Sequence, residues 1–198
     1  MKKVLIIVDC QYDFVNPNGS LFVEGSEDLP ERIAGIMERF DDIIFTLDWH
    51  PYNHCSFIYN GGDWPTHCVN YTKGASIKGV LFIESYGKPT LFFRKGENPY
   101  REEYGAFSEF NKHNKTEFLQ FINNIQHKNG EDSVDLYVCG VAGDYCVKET
   151  TKDLCKLEYT LVNDIFIIKD LCPCIDTAFD IEAFAKEVGA KCVESKDV

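Results

Sequence analysis

The sequence predicts a three-layer α/β fold, with a mainly parallel central sheet flanked by helices on both faces. Three observations predict it. Short apolar runs rich in β-branched residues recur along the chain, at lengths that suit strands buried on both faces. Segments with helical patterning fall between them, and that alternation makes a parallel sheet joined by right-handed crossovers. Chemically interesting residues follow directly on four of the strands. The chain has 198 residues, 44% hydrophobic and 26% charged, which fits one domain, 1–198, with a sizeable core.

The first strand is Val4–Val8, and Asp9 ends it. A turn-rich loop, Asn16-Pro17-Asn18-Gly19-Ser20, leads to an amphipathic helix over 29–40, with Leu29, Ile33, Ile36, Met37 and Phe40 on one face. Ile43–Leu47 is the second strand, followed by Asp48. A region without clear periodicity runs from Trp49 to Lys88, rich in Gly, aromatics and His. A loop that long in a compact domain is usually functional. Thr90–Phe93 is the third strand, followed by Arg94-Lys95-Gly96. Thr116–Ile125 reads as helix, Val134–Cys139 as the fourth strand and Asp144–Cys155 as the helix after it. Thr160–Val162 and Ile165–Ile168 are strand-like, Asp176–Val188 is helical, and Lys191–Val193 is a short last strand.

Charge and cysteine usage narrow the function. A net charge of -12 argues against a nucleic acid or an anionic membrane as partner, because both need a basic surface. The apolar run after Met1-Lys2-Lys3 is too short for a signal peptide, and no stretch is long enough to span a bilayer. The nine cysteines are therefore expected as reduced thiols in a cytoplasm. Cys172-Pro173-Cys174 lacks the spacing of a Cys-X-X-Cys redox motif.

In parallel α/β sheets, ligands bind beyond the carboxyl ends of the strands. Asp9, Asp48, Lys95 and the turn Gly140–Cys146 all fall at that edge. Cys146 lies in the first turn after a strand, where backbone amides and the helix dipole favour a thiolate. Asp9 could take its proton if burial raises its pKa, and Lys95 could hold Asp9. The small residues Val141-Ala142-Gly143 let the backbone approach a substrate, with the amides of Ala142 and Cys146 as oxyanion donors. Asp48, His50 and His54 lie within seven positions, and His67 follows in the same loop. Asp and His suit zinc, iron or manganese. A structural Cys/His zinc site using Cys55 and Cys68 is the rival, though their spacing fits no closed zinc pattern. A redox protein pairing Cys146 with Cys139 or Cys155 would leave Asp9 and Lys95 without a role.

At these residues the chain resembles the nicotinamidases, within the isochorismatase-like cysteine hydrolase superfamily. Asp9-Cys10-Gln11-Tyr12-Asp13-Phe14 is similar to the motif of the catalytic base. Asp48-Trp49-His50-Pro51, His54-Cys55-Ser56-Phe57 and Trp64-Pro65-Thr66-His67-Cys68-Val69 resemble the metal loop. Phe93-Arg94-Lys95-Gly96 and Tyr104-Gly105-Ala106-Phe107 resemble the lysine motif and the aromatic segment after it. Gly140-Val141-Ala142-Gly143-Asp144-Tyr145-Cys146-Val147 resembles the nucleophile motif. The resemblance implies an isochorismatase-like fold and hydrolysis of nicotinamide to nicotinate and ammonia through a thioester, in NAD salvage; the alternative within the family is an amidase acting on another heteroaromatic or small amide, such as a pyrazinamide-like compound. It implies a triad of Asp9, Lys95 and Cys146, and one divalent metal on Asp48, His50 and His67, with His54 where some members supply a further ligand. Zinc is the first expectation, with iron or manganese as alternatives, and no nucleotide cofactor is expected. The metal is expected to hold the pyridine nitrogen, Phe14 and Trp64 to pack the ring, Tyr104 to help close the pocket, Val141 to contact the substrate, and a cis Val141–Ala142 peptide to shape the oxyanion hole. A homo-oligomer is compatible with this reading. The chain departs from the family pattern at Gly143, where Thr is usual, and over 164–176.

Overall fold

The computed structural model describes residues 1–129, 133–157, 159 and 162–198, with the side chains of 126–129 left aside. Its centre is β1 (Lys2–Val8), which pairs in parallel with β2 (Asp42–Asp48) on one side and β4 (Val134–Gly140) on the other. β3 (Thr90–Lys95) lies beyond β2, and β5 (Val162–Ile168) and β6 (Lys191–Val193) lie beyond β4. The sheet order is therefore β3-β2-β1-β4-β5-β6, with all the described pairings parallel. Residues Val4–Val8 are fully buried, and each such side chain contributes roughly 1.5–3 kcal/mol by leaving water. β3 forms an edge, and it alternates as edge strands do: Phe93 and Lys95 are buried while Phe92 and Arg94 are exposed.

The helices are α1 (Tyr12–Val15), α2 (Leu29–Met37), α3 (Gly79–Glu84), α4 (Lys112–Asn129), α5 (Lys148–Lys156) and α6 (Ile181–Val188). Right-handed crossovers put α2 and α3 on one face and α4, α5 and α6 on the other. Consistent with that, α2 packs on α3, and α5 on α6. The strand order reverses between β1 and β4, so the carboxyl ends of these strands open the crevice where such sheets bind ligands.

Several boundaries differ from the sequence expectation, each for a local reason. α4 extends beyond Thr116–Ile125 at both ends because its terminal turns are polar and carry no apolar period; the expected face, with Phe118, Ile122 and Ile125, is the buried one. α6 begins at Ile181 rather than Asp176. The Asp180 carboxylate accepts the amides of Glu182 and Ala183 and so fixes the start, while Asp176 turns the chain upstream by accepting the Ala178 amide. The two strand-like pieces near 160–168 join as β5; Thr160 lies outside the described residues. The region 49–88 contains a 3₁₀ turn, Ile58–Asn60, and α3. It is tied down by bridges between His50 and Val69, Phe57 and Trp64, and Gln11 and Ile77. All nine cysteines are free thiols.

Candidate active site

Four strand ends supply the site. Asp9 leaves β1 in the left-handed region, with φ 50°. It is fully buried, and the Thr46 hydroxyl of β2 donates to its Oδ1 at 2.7 Å. Lys95, the last residue of β3, is also fully buried, and its Nζ lies 2.8 Å from Asp9 Oδ2 and 3.4 Å from Cys146 Sγ. The same ammonium pairs with Asp48 Oδ1 at the end of β2. Lys95 thus joins the Asp9–Cys146 pair to the histidine loop, a link that no local pattern predicts.

Burial and charge set the protonation of this group. Burial pushes the Asp9 carboxyl up, and Lys95 opposes without overcoming it. Burial would raise Asp48 as well, but Lys95 and His50 outweigh it and hold Asp48 well below the ordinary range. Burial pushes the Cys146 thiol well up despite Lys95, and Asp9 adds to the rise. This corrects the expectation of a thiolate. Cys146 lies in a π-helical turn, Gly143–Val147, ahead of α5 rather than in a regular first turn, and desolvation outweighs the turn's dipole. The resting group is a thiol beside a carboxylate of raised basicity.

The turn before Cys146 is shaped by close contact. Gly140 has φ 124°, and a Cβ there would run into the Val8 carbonyl. The Val141–Ala142 peptide is cis. Within the turn, the Gly143 amide donates to Pro173 O at 2.8 Å, and the Tyr145 and Val147 amides both donate to Ala142 O. None of these three amides is free to serve an oxyanion.

Asp48, His50 and His67 bring one ligand atom each into a cluster whose atoms lie within 4.8 Å of one another. His50 Nε2 lies 3.4 Å and His67 Nε2 3.6 Å from Asp48 Oδ2. The Nδ1 atoms face backbone carbonyls, Gly96 O at 3.0 Å and Pro65 O at 2.8 Å. A carbonyl only accepts, so Nδ1 carries the proton in both rings and each Nε2 presents its lone pair. His50 Nε2 is buried with no hydrogen-bond partner among the described residues. Two lone pairs and a carboxylate oxygen converging on one point fit a divalent cation. Burial opposes charge on His50, yet the Asp48 carboxylate outweighs it and pushes its pKa up.

His54 is placed differently. It groups with His50 and Glu102 rather than with Asp48. Burial, with His50 beside it, lowers its pKa to about 4. Its Nε2 donates to Arg101 O at 3.1 Å, and its Nδ1 accepts the Ser56 amide at 3.3 Å. Both ring nitrogens are thus engaged by the protein. Cys55 and Cys68 are in none of the described ligand clusters.

A cavity opens over these groups, lined by Phe14, Trp64, His67, Tyr104, Ala142 and Cys146. Trp64 Nε1 donates to the Tyr104 hydroxyl at 3.0 Å, and both rings pack on Tyr145. Val141 is fully buried and is not among the lining residues. Leu21, Val23, Glu102, Tyr145 and Ile175 line it too, and sequence reasoning did not select them. Two supporting residues were also missed. Gln11 accepts the Asp48 amide at 2.8 Å and donates to Asp48 O at 2.7 Å, so it fixes the backbone of a candidate ligand. Glu103 accepts the Gly96 amide at 3.1 Å and holds the chain after Lys95. Both are polar residues buried beside the site, a signal visible only in three dimensions.

Comparison with known proteins places this geometry in context. The isochorismatase domain family matches residues 3–194. A Saccharomyces cerevisiae protein named nicotinamidase is 33% identical over 185 residues, which is 79% of this chain and 83% of that one. The solved PnC1 of L. infantum in complex with nicotinate superposes with a TM-score of 0.81 at 33% identity, covering 98% of this chain and 93% of that one. The pyrazinamidase of Pyrococcus horikoshii in complex with zinc superposes with a TM-score of 0.73 at 30% identity, covering 98% and 99%.

Proposed function

Because the chain belongs to the isochorismatase domain family and, within it, to the nicotinamidases, we propose that it hydrolyses nicotinamide to nicotinate and ammonia, with Cys146 as nucleophile. The observation that carries this reading is the Asp9–Lys95–Cys146 contact set beneath a cavity walled by aromatic rings. The amide enters with its ring between Phe14 and the Trp64–Tyr104 pair. Asp9, whose raised pKa suits proton transfer, takes the thiol proton as Cys146 Sγ attacks the carbonyl carbon. Lys95 balances the charge that moves between them. The amides of Ala142 and Cys146 receive the oxyanion. Asp9 then protonates the leaving nitrogen, ammonia departs and a thioester remains on Cys146. Asp9 takes a proton from the incoming water, nicotinate leaves, and the thiol is restored.

A divalent cation fits Asp48, His50 and His67; zinc is favoured by the zinc-bound pyrazinamidase, and when bound it supplies a Lewis-acid contact for the ring nitrogen. The test is ammonia release from nicotinamide by the native chain and by Cys146→Ala, with and without chelator. The reading predicts turnover only by the native, metal-loaded chain, with the fold intact in every sample by circular dichroism. Full turnover by Cys146→Ala would end it. Unfolding on chelation would instead favour a structural metal.

A further inference from the structure

Both departures from the family pattern meet at one contact. The segment 172–176 lies against the nucleophile turn, where the Gly143 amide donates to Pro173 O. Gly143 has no room for a side chain, since a Cβ would sit 2.6 Å from Cys172 O. Asp144, next in the turn, is buried at 6% exposure and spends both carboxylate oxygens on this segment. Its Oδ1 accepts the Ile175 amide at 3.0 Å, and its Oδ2 accepts the Asp176 amide at 2.8 Å. These charge-assisted bonds are strong and directional. They hold Ile175 at the cavity that contains Cys146, where its side chain forms part of the wall while staying 44% exposed. A large aliphatic group that packs so little of itself into the protein is poorly explained as core.

We infer that Ile175 determines which ring substituents the cavity admits, and that Asp144 is the positioning residue that holds it there. The inference rests on the amidase reading above and adds its selectivity: a flat heteroaromatic amide whose ring edge toward Ile175 is unsubstituted. A fixed aliphatic wall discriminates by about one methyl group, which is worth roughly tenfold or more in kcat/KM. Asp144→Asn exchanges one acceptor for an NH₂ group that faces a backbone N–H, so the segment loses one of its two anchors on that side chain and the wall shifts.

The experiment compares kcat/KM for nicotinamide with a panel of ring-methylated nicotinamides, using the full chain loaded with zinc. Ile175→Ala is expected to raise the methylated-to-unsubstituted ratio about tenfold for at least one ring position, and Ile175→Phe to lower it. Asp144→Asn should move the ratio in the same direction as Ile175→Ala, and the double variant no further than Ile175→Ala alone. That non-additivity is the mark of a residue acting through Ile175. If Asp144→Asn fails to fold, Asp176→Pro removes one of the amide donors and leaves the Asp144 carboxylate in place, with Asp176→Ala as the control for the lost bond to the Ala178 amide. A ratio unmoved in Ile175→Ala, in a chain whose native form hydrolyses nicotinamide, overturns this inference alone. Additive ratios in the double variant overturn the role of Asp144. No ammonia from any amide with the native chain overturns the amidase reading and this inference with it.

Discussion

Lys95→Met tests the charge arrangement of the site without reference to turnover. In the native chain the Lys95 ammonium pairs with two buried carboxylates, Asp9 and Asp48. Met fills similar space but leaves both carboxylates without that cation. Removing one partner of a buried pair costs about 3–5 kcal/mol, and protonation of Asp9, already raised by burial, limits the loss to that range. For a chain of this size, 1 kcal/mol moves Tm by about 2–4 °C, so the expected drop is roughly 6–20 °C. The pH dependence has a definite sign. Lys95 is pushed well above its ordinary 10.5, so its contribution is fully present at pH 7. Asp48 is held well below its ordinary 3.8, so its contribution is present above that pH and is lost only in stronger acid. The deficit of the variant should be full at pH 7 and shrink toward pH 4, as its carboxylates take up protons. Thermal denaturation in chelator at both pH values reads this. A Tm at pH 7 equal to or above the native value would refute the arrangement.

Two further perturbations address the parts around that centre. Gly96 has φ 67°, and a Cβ there would run into the His50 ring whose Nδ1 its own carbonyl holds; Gly96→Ala should weaken zinc binding by about 10–100-fold, read by competition with a chromophoric chelator, and unchanged affinity would count against His50 as a ligand. Asp153 is raised to about 6 from 3.8, first by burial, so the folded chain binds more protons than the unfolded one between those values and loses stability as pH rises through that window; Asp153→Asn should gain about 1 kcal/mol at pH 7, after discounting for partial exposure, and nothing at pH 4, by urea denaturation.

The legible part of this molecule was the part written in local sequence. Apolar runs marked β1 to β4, and Asp9, Asp48 and Lys95 stood at or just beyond the ends of the first three; β5 read as two pieces because Asn163 and Asp164 interrupt it. Asp9, Lys95 and Cys146 therefore group from the sequence alone. What stayed hidden depends on three-dimensional contact. The bridge from Lys95 to Asp48 joins two groups that sequence reasoning kept apart, because separation along the chain carries no sign of an ion pair. The protonation of Cys146 was misjudged because its position in a turn suggested a dipole, while desolvation, which dominates, is a property of the packed core. Gln11 sat in plain view in its motif, but its double clamp on Asp48 needed the loop to close over it. The segment 164–176 departs from the family pattern, and the contact of its last residues with the nucleophile turn emerges only from the Asp144 carboxylate that accepts the Ile175 and Asp176 amides.

The central claim is that Cys146 attacks the amide and carries the acyl group. Its most direct test is the intact mass of the zinc-loaded chain, quenched in acid during turnover of nicotinamide, followed by peptide mapping. The account predicts a fraction of the chain heavier by one nicotinoyl group, located on Cys146, sensitive to hydroxylamine as a thioester is, and missing from Cys146→Ala. A chain that turns nicotinamide over while its acyl group maps to any other residue would contradict it.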